Sequence, residues 1–275
     1  MSINRREFVG TALAGLTSAA AFAKKNIPIA VQVYSVREIA QKDTAGVLAR
    51  IAKIGYQGVE FAGYYGHSAQ DLRKILDDNG LKAAGTHIGL ETLLGDQLAK
   101  TMEFNHTIGN KNLIVPGFAQ KYRSSIAAWK DTGKLFNEIA AKAKPEGFTV
   151  GYHNHGVEFE KMEGQVPFDV FYAAASPDVK VQLDIGHAAR AGANVMDLLH
   201  RYKGRIVSVH VKEYAPGNDN AVLGDPGGAI PWKDVFKALA VSPGMEWYIS
   251  EEESRGCKET ECIQTSYGRL VKMTR

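Results

Sequence analysis

The chain has 275 residues, 45% of them hydrophobic and 23% charged, with a formal net charge of +3. That balance belongs to a globular protein with enough apolar residues for a full core. Lysines and arginines are scattered, so the concentrated cations that neutralise a nucleic-acid backbone are missing. Two cysteines exclude a disulfide framework, and Cys257 and Cys262 would point away from each other on a helix, so no bridge between them is expected.

Residues 1–23 read differently from the rest. A charged start, NRREFVG, leads into the short apolar run TALAGLTSAAAFA and ends on Ala21-Phe22-Ala23, a small-residue cleavage site. The run is too short and too rich in Gly, Ser and Thr to span a membrane. Arg5-Arg6 with Phe8 resembles the twin-arginine export signal, which carries folded proteins across the bacterial inner membrane. The expectation is a cleaved leader over 1–23, a mature domain over 24–275 and a periplasmic location. The competing reading is an amphipathic helix with a chance arginine pair.

From residue 26 onward apolar strand patterns alternate with helical ones eight times. The strands are expected at 27–35, 56–62, 81–88, 112–117, 148–154, 179–186, 205–212 and 246–252. Between them, TAGVLARIAKIG closes on a glycine cap, and SAQDLRKILDDNG opens on a serine cap and ends on Asn-Gly. Segment 121–144 carries Ile126, Trp129, Leu135 and Ile139 at helical spacing. Eight such units at this length predict an α/β fold, a single-domain (β/α)8 TIM barrel. An open doubly wound sheet is the alternative. It would place a glycine-rich turn after the first strand, where this chain has YSVRE.

Alternate residues of a strand face opposite sides. Val181, Leu183 and Ile185 therefore share one face, and Gln182 and Asp184 the other. Val207, Val209 and Val211 likewise oppose Ser208, His210 and Lys212, and Val59 and Phe61 oppose Glu60. With the apolar face under the helices, Glu60, His87, His153, His155, Glu158, Asp184, His187, His210, Lys212 and Glu251 all point toward one mouth. Each has an ordinary explanation alone: a satisfied core histidine, an ion pair, or, for the triplet 251–253, a solvated loop edge. Together, so many buried charges would be destabilising unless a divalent cation is bound among them. Carboxylates and neutral imidazoles suit Mn²⁺ first, with Zn²⁺, Co²⁺, Fe²⁺ or Mg²⁺ as alternatives. The lack of cysteine ligands favours an open, Lewis-acid site over a structural one.

VQLDIGHA, VSVHVK and YISEEE, with VQVYSVRE and GYQGVEF, resemble the xylose isomerase-like barrel superfamily over nearly all of the mature chain. That superfamily includes sugar-phosphate isomerases and epimerases, inosose dehydratases and endonuclease IV. The resemblance implies Asp184, His210 and Glu251 as metal ligands. On the fifth strand His153 stands where the family usually has glutamate, within a YHNHxxEF variant. Either His153 replaces that ligand, or Glu158 reaches back from the next loop; the second is preferred, leaving His153 and His155 for proton transfer. The implied chemistry is proton abstraction beside a sugar carbonyl, with His153, His155, Glu158 and Glu251 as acid–base candidates. Glu60, His87, His187 and Lys212 are expected to bind substrate.

A sugar isomerase or epimerase is the leading reading, and a lyase of the inosose dehydratase kind, including one acting on 3-keto-glycosides, is the alternative. A nuclease and a non-enzymatic sugar-binding barrel rank below both. The expected partner is a small, non-phosphorylated sugar or keto-sugar, because phosphosugars are cytoplasmic. LGDPGG at 223–228 lies where many barrels bind phosphate but reads better as an ordinary loop. The loops leave room for a homodimer.

Overall fold

The structure is a computed structural model and describes residues 26–253 and 256–275. The leader expected over residues 1–23 lies outside the described residues. All eight expected strands form: β1 (Ile29–Gln32), β2 (Gly58–Ala62), β3 (Lys82–His87), β4 (Asn112–Val115), β5 (Thr149–His153), β6 (Lys180–Asp184), β7 (Ile206–Val211) and β8 (Trp247–Ser250). Each is shorter than its apolar stretch. After β1, for example, the Gln32 side chain accepts from Tyr34 N and turns Val33–Val36 into a 3₁₀ helix.

The strands are parallel and follow chain order, and β1 pairs with β8 through Ile29↔Tyr248, Ala30↔Ile249 and Val31↔Ser250. The barrel is closed, which removes the open-sheet alternative. Helices at Thr44–Ile54, Ala69–Asp78 and Ile126–Ala143 occupy the segments expected for them. Asp43, Ser68 and Ser125 cap their N-termini, each side chain accepting a backbone N–H of the first turn. Gly55 ends the first of these helices at φ 117°, a conformation that costs glycine little.

The expected alternation holds. Val31, Val59, Phe61, Tyr152, Val181, Leu183 and Val209 lie in the large core between strands and helices. A small apolar floor of Ala30, Ala84, Trp247 and Ile249 fills one level of the lumen. Gln32, Glu60, His153, Gln182, Asp184, Ser208 and His210 make other lumen positions polar. Strand register sets Gln32 beside Glu60, His153 beside Gln182, and Asp184 beside His210.

One expectation is corrected. Cys257 and Cys262 form a disulfide, with Cα atoms 5.7 Å apart. The last helix starts at Glu259, so Cys257 lies before it and the helical separation assumed for the pair does not apply.

Candidate metal centre

The donor set is assembled from four strand ends. His153 closes β5, Asp184 closes β6, His210 is the fifth residue of β7, and Glu251 follows β8. One ligating atom from each lies within 4.8 Å of all the others, and all four side chains are buried. The three residues carried over from the motifs are thus brought together.

Asp184 shows how local sequence aims a donor. It caps the short helix Ile185–Arg190, and its Oδ1 accepts from His187 N at 2.7 Å. Its backbone is clamped as well: Asn154 Oδ1 accepts from Asp184 N at 2.9 Å, and Asn154 Nδ2 donates to Asp184 O at 3.1 Å. Oδ2 is left buried without a hydrogen-bond partner, 3.9 Å from the Nε2 atoms of both His153 and His187. A buried carboxylate oxygen with no partner is costly. A cation between His153, Asp184, His210 and Glu251 would satisfy it, so the chemistry and spacing of the set fit a divalent ion.

Glu158 does not complete this set. Tyr152 Oη donates to Glu158 Oε1, and His155 N donates to Oε2 at 2.8 Å. Tyr152 packs with Phe118, Phe136 and Phe171 under the helices. Strand alternation turns Tyr152 to the outer side of β5, its hydroxyl draws Glu158 there, and His153 holds the place that was expected for Glu158. Burial raises the Glu158 carboxyl above its ordinary value, and its hydrogen bonds only partly oppose that. In YHNHxxEF, then, Tyr152 and Glu158 fix the loop, Asn154 fixes Asp184, and the two histidines face the cavity.

Glu60 also departs from expectation. It is fully buried beneath the site, not in the substrate wall. Gln32 Nε2 donates to its Oε2 at 2.9 Å, and Gln182 Nε2 donates to its Oε1 at 2.7 Å. The same Oε2 lies 2.6 Å from His210 Nε2 and 3.1 Å from His87 Nε2. Burial pushes its carboxyl up, but His87 and His210 outweigh burial and hold it below the usual range. Gln182 and Asn154 carried no functional expectation. The signal for Gln182 was present in its parity with Asp184; the Asn154 contact depends on the approach of a neighbouring strand.

The cavity above the donors is about 480 Å³ and is lined by Tyr34, Ile88, Pro116, His155, His187 and Glu253, with His87, His153 and Glu251 among its other walls. A larger hollow of about 700 Å³ around Asn26, Phe236 and Tyr248 has no histidine or acidic side chain in its lining. Lys212 Nζ lies 3.1 Å from His187 Nε2, 3.8 Å from Glu251 Oε2, and donates to Glu253. Burial opposes its charge, but Glu251, Asp184 and Glu253 raise its pKa above that of an ordinary lysine. His153 is held far below the usual histidine value by burial and by the surrounding imidazoles. His155 falls to about 4, through burial first and then His187. Both rings are neutral near pH 7, as ligation or proton acceptance requires.

The loop at 223–228 is occupied by the chain's own groups. Gly224 N donates to Glu213 Oε2 at 2.7 Å, Trp232 Nε1 donates to the same oxygen, and Arg269 pairs with Asp225 at 2.6 Å. A carboxylate thus takes a backbone donor that a phosphate would need.

The profile of the xylose isomerase-like TIM barrel family matches residues 48–270. Among curated proteins, an inosose dehydratase from Clostridium botulinum is 24% identical over 248 residues, covering 75% of this chain and 80% of the relative. A sugar phosphate isomerase/epimerase from Parabacteroides distasonis superposes with a TM-score of 0.78 at 23% identity, over 90% of this chain and 100% of that one. The IOLI protein, solved with a zinc atom, superposes at 0.68 with 17% identity, over 90% of this chain and 98% of its own.

Proposed function

Because this chain belongs to the xylose isomerase-like TIM barrel family, we propose that it is a divalent-metal enzyme that removes the proton beside the carbonyl of a non-phosphorylated sugar or keto-sugar. The observation that carries this reading is the partnerless buried oxygen of Asp184 among three further donors. His153, Asp184, His210 and Glu251 would hold the ion. When bound, the ion supplies Lewis acidity toward the substrate carbonyl, offsetting the negative charge that enolisation creates.

The chain's own groups divide the remaining work. His155 is neutral, borders the cavity, and has its backbone fixed by Glu158; it is the acceptor for the α-proton. Lys212, held cationic beside His187, whose ring packs against that of His155, is the proton donor. An acceptor and a cationic donor suit β-elimination: the C–H bond breaks, a C=C bond forms, and the β-hydroxyl leaves as water after taking a proton. Similarity to an inosose dehydratase favours this outcome over epimerisation. A 3-keto-glycoside would react in the same way, with the aglycone alcohol leaving in place of water.

The self-occupied loop at Gly224 supports a neutral substrate over a phosphorylated one. The Cys257–Cys262 bridge supports an oxidising compartment and thus the export expected from Arg5-Arg6. Replacing both arginines with lysine is expected to trap the precursor inside the cell. Proton NMR in D₂O with a keto-cyclitol and with a keto-glycoside tests the chemistry. Vinylic product signals support elimination; exchange of one carbon-bound proton without them supports epimerisation. No exchange with any neutral ketone in the Mn²⁺- or Zn²⁺-loaded protein refutes the reading.

A further inference from the structure

We propose that Glu60 sets the tautomers of the two ligand imidazoles, acting on His210 directly and on His153 through Gln182. This rests on the metal-binding reading above. Beneath the site, Gln32, Glu60, Gln182 and Ser208 form a buried layer of directed hydrogen bonds. Gln32 is oriented by the backbone, since its Oε1 accepts from Tyr34 N at 3.1 Å, so its amide nitrogen must face Glu60. Glu60 Oε2 is therefore an acceptor, and His210 Nε2, 2.6 Å from it, must carry a proton.

The second oxygen acts over a longer path. Gln182 Nε2 donates to Glu60 Oε1 at 2.7 Å and to Ser208 Oγ at 2.9 Å. That fixes which end of the amide faces which way, and turns Gln182 Oε1 toward two rings. His153 Nδ1 lies 3.0 Å from that oxygen and His87 Nε2 lies 2.7 Å from it. Both nitrogens must donate. His153 Nε2 is then left with a lone pair facing Asp184 Oδ2, and His87 keeps its Nδ1 lone pair. A cation meeting His210 would take Nδ1, the nitrogen 2.8 Å from Glu251, while Nε2 keeps its proton and donates it to Glu60.

Space for this carboxylate is reserved. A Cβ on Gly85 would lie 2.5 Å from Glu60 Oε1, so the glycine on β3 admits Glu60 to the layer. Among the described residues, Glu60 is the one group hydrogen-bonded to both Gln182 and His210. One carboxylate, unable to donate, thus propagates its polarity to three imidazoles.

Glu60→Gln is nearly isosteric but must turn an N–H toward either His210 or Gln182. In the first case His210 loses its acceptor. In the second, Gln182 flips and presents donors to His153 and His87. Either way one ligand ring is driven to the wrong tautomer.

Two measurements test this. Imidazole ¹⁵N NMR of the wild-type protein is expected to show His153 protonated at Nδ1 and His87 at Nε2 without metal, and His210 protonated at Nε2 with Zn²⁺. Zinc affinity, read by competition with a chelating dye, is expected to fall by about 10–100-fold in Glu60→Gln. His153 protonated only at Nε2, or a folded Glu60→Gln variant within about twofold of wild-type affinity, overturns the proposal. Should that variant not fold, the wild-type spectrum decides alone. A wild-type chain that binds no zinc refutes the metal reading, while the metal-free tautomers still decide this one.

Discussion

The outer face of the barrel carries Val31, Val59, Phe61, Tyr152, Val181 and Leu183 against the helices, and the inner face of the same strands carries Gln32, Glu60, His153, Gln182 and Asp184. Outside, apart from the hydroxyl of Tyr152, contacts are numerous and non-directional, so an apolar side chain there is replaceable by another of similar volume. Inside, these polar side chains, apart from Asp184 Oδ2, are tied by directed hydrogen bonds, and one reversed amide is passed on to its neighbours. The outer face provides stability and the inner face provides chemistry. The residues after β8 repeat the contrast side by side. Glu251 faces the lumen, where burial is outweighed by Lys212 and His210 and the carboxyl is held below its ordinary range. Glu252 faces outward against Ser266 and Leu223 N, where burial pushes it up to about 8.

If the two faces are separable in this way, substitutions should divide cleanly. Asp184→Ala removes the partnerless oxygen and should abolish metal retention after dialysis, with activity falling by about a thousandfold or more. An active, metal-free Asp184→Ala protein would dissolve the distinction. Phe171→Ala on the outer side should cost about 3–5 kcal/mol in denaturant unfolding, with zinc affinity unchanged. Glu158→Gln, also on the outer side, should lower stability by about 1–3 kcal/mol and leave the metal in place. A tenfold weaker ion in that variant would return Glu158 to the ligand set.

A further contrast concerns Glu252 and is read in the metal-free protein. Its folded pKa lies above the unfolded value, so the folded state binds more protons between about pH 4.5 and 8. Stability from this group is full below the lower value and falls as pH rises through that window. Glu252→Gln should flatten the melting temperature against pH over that window. An unchanged slope would show that the carboxyl is ionised in the fold.

The strand–helix alternation and the two-residue parity that turns Asp184 and His210 to the lumen could be read from the chain, because they follow from periodicities of a single segment; the expectation that Asp184, His210 and Glu251 hold a metal came from the family resemblance. Parity also placed Glu60 and Gln182 on the lumen face, but not at a depth. Depth depends on register between strands, and register, Gln182 opposite His153 and Glu60 opposite Gln32, exists only once the barrel closes. The same holds for Glu158, whose side of β5 was set by the hydroxyl of Tyr152, and for Cys257, whose approach to Cys262 depended on where the last helix begins. Local sequence specifies which way a side chain points; closure of the sheet specifies what it meets there, because those partners lie far apart in the chain, 150 positions for His210 and Glu60.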